Sequence, residues 1–211
     1  LVQDYRGDAT LAAGETFDPS PQNIDRRTVN GTLPSGLKLS YLPKRTRGQT
    51  VSATIRLRYG TLETATGKAV AADLAADMLL RGTTTRTRQQ IKDEFDRLKA
   101  QVSISGGPLV LTATVQTTRP NLLPALRLLG EVLRQPAFGD KEFEQLRQEN
   151  LAALEAARSD PIQLAFRTYT RTQSPYPKGH PRYTASIEEA VAEYSAARLA
   201  EARAFHAEFV S

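Results

Sequence analysis

The chain has 211 residues, 40% of them apolar and 24% charged with both signs mixed along its length, which suits a soluble globular chain with one sizeable core or two small ones. Its net charge is +5, but the lysines and arginines are scattered and not interleaved with aromatics, so no nucleic-acid groove is expected. The absence of cysteine rules out disulfides and thiolate metal sites, and no apolar run approaches the roughly 20 residues of a membrane span.

The chain opens on Leu1 rather than Met, and no signal-peptide pattern follows, so it is expected to have been processed or cut from a longer one. Residues 1–27 show no sustained period and hold Gly7, Gly14, Pro19 and Pro21 among polar residues. They are predicted to be a linker or a loosely docked N-terminal extension, with residues 28–211 the folded domain. Leu37 to Leu42 reads as a strand, introduced by a turn at Pro34-Ser35-Gly36. Val51, Ala53, Ile55, Leu57 and Tyr59 alternate with polar residues, predicting a strand with one buried face that Gly60 ends. A helix is predicted over 68–81 with Gly82 as its stop signal. Thr87 caps another over 88–99, with Ile91, Phe95 and Leu98 on one stripe. Strands at 102–105 and 110–117 flank a Gly106-Gly107-Pro108 turn. Helices follow over 122–134, 141–159 and, past Pro161, 162–172. Pro175, Pro177, Gly179 and Pro181 mark a loop, and a last helix covers about 195–209. Strand pairs separated by helices predict an α+β fold, a two-layer sandwich with helices on an antiparallel or mixed sheet.

The segment from Ala69 to Leu80 is the most informative. A helix apolar on nearly all sides belongs in a core, and only Asp73 and Asp77 interrupt it, four residues apart and therefore on one stripe. Unpaired ionised carboxylates are costly to bury, so that stripe must meet water, a cleft or a cation. One reading is a solvated strip, with Asp77 paired to Arg81 one turn on. The other is a stripe facing a cleft. The two are compatible, since a cleft is full of water.

The stretch Gly67 to Thr83, ending Met78-Leu79-Leu80-Arg81-Gly82-Thr83, resembles the signature of the pitrilysin and insulinase family of zinc metallopeptidases. Active members carry H-x-x-E-H on this helix. Leu33-Pro34-Ser35-Gly36-Leu37 is similar to that family's opening strand, and Val51 to Gly60 to the strand before its motif helix. Arg86 to Lys99 with the Gly106 turn resembles the following helix and hairpin. Phe143 to Pro161 is similar to the helix that brings the third zinc ligand, and Tyr176 to Pro181 to the loop after it. Aligned this way, the first zinc histidine falls on Asp73, the general-base glutamate on Ala76, the second histidine on Asp77, and the third ligand near Ala153.

The resemblance implies a half-domain of a bacterial member whose site is degenerate. A catalytic zinc needs two imidazoles, a carboxylate and an activated water, and Ala76 cannot act as a base. Glu155 lies about 200° around the helix from Ala153, while Glu149 is a substitute ligand in another register. No catalytic residue, metal ligand or cofactor is therefore expected in this fragment, with zinc expected in a catalytic half. That half, in the same chain or a paired subunit, and peptide substrates are the implied partners, and the periplasm the implied location. The family's half continues beyond the position of Ser211, so the chain reads as an incomplete domain. His180 in the loop and His206 beside Phe205 and Phe209 read as packing residues. Two alternatives stay open: a structural or assembly module with no role in proteolysis, and a hydrolase with a carboxylate metal site at Asp73 and Asp77.

Overall fold

A computed structural model describes residues 13–210. The earlier part of the expected extension, with Gly7, and Ser211 lie outside them. Pro21–Arg27 forms a short helix (α1) whose N-cap Ser20 accepts from the Asn23 amide, with Pro21 preset for the first turn. Glu15 N donates to Arg45 O at 2.9 Å and Arg27 pairs with Glu15 at 2.8 Å. Residues 15–27 are thus docked on the segment after the first hairpin, through contacts across the sequence that local composition does not encode.

Val29–Thr32 (β1) and Lys38–Tyr41 (β2) pair antiparallel around Pro34-Ser35-Gly36. Gly36 takes a φ of +83°, the left-handed conformation this turn requires. Both strands of this hairpin are exposed along their length.

A second sheet, antiparallel in the order β3-β5-β4, is built from Thr50–Arg58 (β3), Gln101–Gly106 (β4) and Val110–Thr118 (β5). On the central strand Leu111, Ala113 and Val115 are buried while Thr112 and Thr114 face outward, the two-residue period of a sheet with one covered face. Val51, Ile55 and Leu57 do point inward, but they stay half-buried instead of largely buried as the alternation predicted. β3 is an edge strand, so its side chains have packing neighbours on one flank only.

The helices are Leu62–Ala65 (α2), Ala69–Met78 (α3), Arg88–Arg97 (α4), Leu122–Arg134 (α5), Asp140–Ala157 (α6), Pro161–Gln173 (α7), Ile187–Ala196 (α8) and Leu199–Phe209 (α9). The helix predicted over 195–209 is α9, which begins at Leu199, and α8 before it was not predicted. α8 starts at a capping box in which Ser186 and Glu189 satisfy each other's backbone amides. That box is written in the sequence as Ser186-x-x-Glu189; the Pro-rich stretch before it masked the signal. The architecture is a mixed α+β fold with helices packed on an open sheet.

α3 lies between two cores, which explains its apolarity on nearly all sides. Ala76 joins Leu79 from the turn after α3, and Leu111, Ala113, Val115, Leu129 and Val132 on the sheet side. Ala72, Leu74, Ala75 and Met78 pack with Phe138, Phe143, Leu146, Ala202 and Phe205 on the helix side. The helix approaches β4 so closely that a Cβ at Gly106 would sit 2.5 Å from the Cβ of Ala76. Gly106→Ala is therefore expected to destabilise the fold by about 1–3 kcal/mol, as overpacking does, read as a lower urea midpoint at unchanged m. An unaltered midpoint would mean that α3 retreats from the sheet at no cost.

Candidate functional site

The helix-side core does not close completely. Between α3, α6, α7, α8 and α9 it leaves a cleft of ≈ 930 Å³. Much of its wall is alanine: Ala69 and Ala71 from α3, Ala153 and Ala157 from α6, Ala190 from α8 and Ala204 from α9. Small side chains on facing helices make the space. Asp73 projects into it from α3, whereas Asp77, one turn on, is exposed beside it.

Asp73 is the electrostatic anomaly of the site. Burial, and then the like charge of Asp77, push its carboxyl up to about 7, while a hydrogen bond from the Tyr194 hydroxyl opposes the rise. Among the described residues no cation pairs with it. Burial and the neighbouring Asp73 also raise two phenols: Tyr194, and Tyr59, which is pushed up to about 12. The Tyr59 hydroxyl is held by Gly107 O at 2.8 Å. Asp77 is open to water on its outer side, but the helix and its neighbours desolvate the rest enough to raise its carboxyl, and the charge of Arg81 pulls it back.

The expected ion pair between Asp77 and Arg81 is not formed. Arg81 Nη2 reaches Glu149 and its Nη1 lies 3.6 Å from Glu142. A guanidinium leaving the end of α3 meets the two α6 carboxylates seven residues apart, a spacing that puts both on one face of that helix. Glu149 is committed to Arg81 and Gln145, and Glu155 pairs with Arg158 at 2.8 Å. Asp73 and Ala153 do line one cleft, from helices about 80 residues apart in sequence. Ala76 faces away from it, against Gly106.

The two histidines have other partners, although His180 also lines the cleft. His206 is buried, with Nε2 2.7 Å from Leu133 O and its ring edge-on to Phe138. His180 stacks on Tyr176 at 4.3 Å and accepts the Arg182 amide at Nδ1. Sequence reasoning missed Tyr194, the direct partner of Asp73. It lies on α8, a helix that was not predicted, and nothing near Asp73 in sequence signals it.

No protein-family model matches the chain. Solved structures do match its fold. An inactive peptidase M16 domain from Pseudomonas fluorescens superposes with a TM-score of 0.69 at 20% identity, over 85% of this chain and 43% of that one. A protease from Helicobacter pylori gives 0.70 at 17% identity, over 86% and 43%. The periplasmic protease PqqL from Escherichia coli gives 0.62 at 15% identity, over 93% and 20%. The chain thus spans less than half the length of each of these structures, and at such identities the likeness is one of fold.

Proposed function

We propose that this chain is the non-catalytic half of a bacterial zinc-dependent metalloendopeptidase of the pitrilysin and insulinase type, helping to enclose peptide substrate beside a catalytic H-x-x-E-H half. The observation that carries this reading is the cleft at the motif helix. Asp73, at the first zinc-histidine position, opens into the same cleft as Ala153, at the third-ligand position, in a fold similar to an inactive peptidase M16 domain. The donor set does not fit a catalytic zinc. Asp73 is hydrogen-bonded by Tyr194, Asp77 stands outside the cleft, Ala153 has no donor atom, and Ala76 packs on Gly106 with no basic atom to deprotonate water. The carboxylate-metal alternative gains no support either, since the described residues bring no third carboxylate or imidazole to Asp73 and Asp77.

In this reading zinc belongs to the catalytic half, in the same chain or a paired subunit, and the periplasm is the compartment, as for PqqL. Among the described residues no helix is long and apolar enough to cross a membrane. The dialysed chain is expected to hold no stoichiometric zinc by elemental analysis and to leave a fluorogenic peptide uncut. Co-expressed with the H-x-x-E-H half from its own gene or operon, it should co-purify with that half and raise its turnover. One zinc per isolated chain with chelator-sensitive hydrolysis would overturn the proposal, and so would a catalytic half whose turnover ignores it.

A further inference from the structure

The cleft and the helix at its rim share an arrangement that packing alone does not explain. In α7 the apolar side is turned outward: Ile162, Phe166 and Tyr169 are 81%, 70% and 62% exposed, and the helix buries no residue fully. At 100° per residue these three positions fall within about 60° of one another, a single stripe. Gln163 and Arg167, about a quarter to a third of a turn away, face the cleft. A surface helix normally buries its apolar stripe and shows its polar one to water. Here the order is inverted, and the exposed apolar stripe shares its helix with the two side chains that line the cleft.

The charges inside point the same way. Although the chain carries a net +5, the ionic side chains lining the cleft are Asp73, Glu193, Glu201 and Glu208 against Lys68 and Arg167. Lys68 is taken by Glu208 at 2.8 Å, Glu201 is paired with Arg198 at 2.7 Å, and Arg167 donates to Ala185 O at 2.7 Å. Lys178 stands 4.0 Å from Glu193, which leaves Asp73 as the carboxylate with no cation, at a cleft walled by alanine methyl groups. A low-dielectric wall around an uncompensated negative charge concentrates field and favours a cation.

We propose that this cleft docks a polypeptide segment that points a lysine or arginine side chain at Asp73 and lays flanking apolar side chains on the Ile162, Phe166 and Tyr169 stripe. A long basic side chain suits the site because its methylenes match the alanine walls while its head reaches the carboxylate. The stripe supplies area that a lone inorganic ion leaves uncovered. The inference deepens the peptidase reading by naming a feature of the enclosed substrate, and it rests on that reading only for the source of the segment.

The test uses the chain alone, so its failure is distinguishable from failure of complementation by a catalytic half. The probe is a blocked, fluorescein-labelled peptide, Gly-Leu-Ala-Arg-Ala-Leu-Gly, followed by fluorescence anisotropy. Its citrulline analogue is isosteric and neutral. At pH 8, where the Asp73 carboxyl is ionised, the arginine peptide should bind about tenfold more tightly than the citrulline one, and Asp73→Asn should erase that difference. Phe166→Ser should weaken both peptides by a similar factor, because it removes apolar contact and leaves the charge in place. Equal affinity for the two peptides would overturn the proposal, as would an arginine preference that survives Asp73→Asn, or no binding at millimolar peptide. Displacement of the peptide by Mg²⁺ or Ca²⁺ at equal ionic strength would make the cleft a metal site instead. Reversible self-association abolished by Phe166→Ser, with no peptide binding, would assign the stripe to a second copy of this chain.

Discussion

Leu74→Ala should lower the unfolding free energy by about 2–5 kcal/mol, the cost of emptying a large buried site. Leu74 is 1% exposed and packs with Ala75, Met78, Phe138, Phe143 and Phe205. Three of these neighbours are aromatic rings held on other elements, so they cannot collapse into the space that Ala leaves, and the upper half of the range is expected. The change should appear in urea melts as a lower midpoint at unchanged m. A loss below about 1 kcal/mol would mean that α3 is not the keystone between the two cores, and the cleft geometry built on it would fall too.

Asp73→Asn should do the reverse and stabilise the chain, increasingly so as pH rises. The folded carboxyl titrates near 7 against an ordinary value of 3.8. Below 3.8 both folded and unfolded chains hold the proton and Asp73 costs nothing. Between there and about 7 the folded chain keeps a proton that the unfolded chain has lost, so stability falls as pH rises, and above about 7 the penalty is complete. A shift of three units corresponds to about 4 kcal/mol at most. Water in the open cleft screens part of it, so about 2 kcal/mol is the expected gain of the variant at pH 8 over pH 4. Thermal or urea melts at the two values decide it. If the variant were the less stable at pH 8, the Asp73 carboxylate would be a structural partner held by Tyr194 and not an uncompensated charge facing a cleft.

These two expectations pull in opposite directions from adjacent positions of one helix, and they separate what local sequence encodes from what it leaves open. Periodicity and caps are properties of neighbouring residues. The order of most elements, the inward face of β5, the cap at Thr87 and the burial of α3 were therefore legible in the chain itself. The missed start of α8 was legible too, in the Ser186 and Glu189 box.

Spacing placed Asp73 and Asp77 on one stripe and had nothing further to say about them. Tertiary structure alone decided that Asp73 meets Tyr194 and an alanine-walled cleft while Asp77 meets water. It also gave Arg81 to Glu149 and Glu142 on α6, not to Asp77 one turn away. The half-burial of Ile55 and Leu57 follows from β3 lying at a sheet edge, which strand order sets and alternation does not. In each case the deciding partner lies on an element distant in sequence, or is missing from one flank. Desolvation and ion pairing depend on what surrounds a group in three dimensions, and helical or strand periodicity specifies only the direction in which a side chain leaves its own backbone.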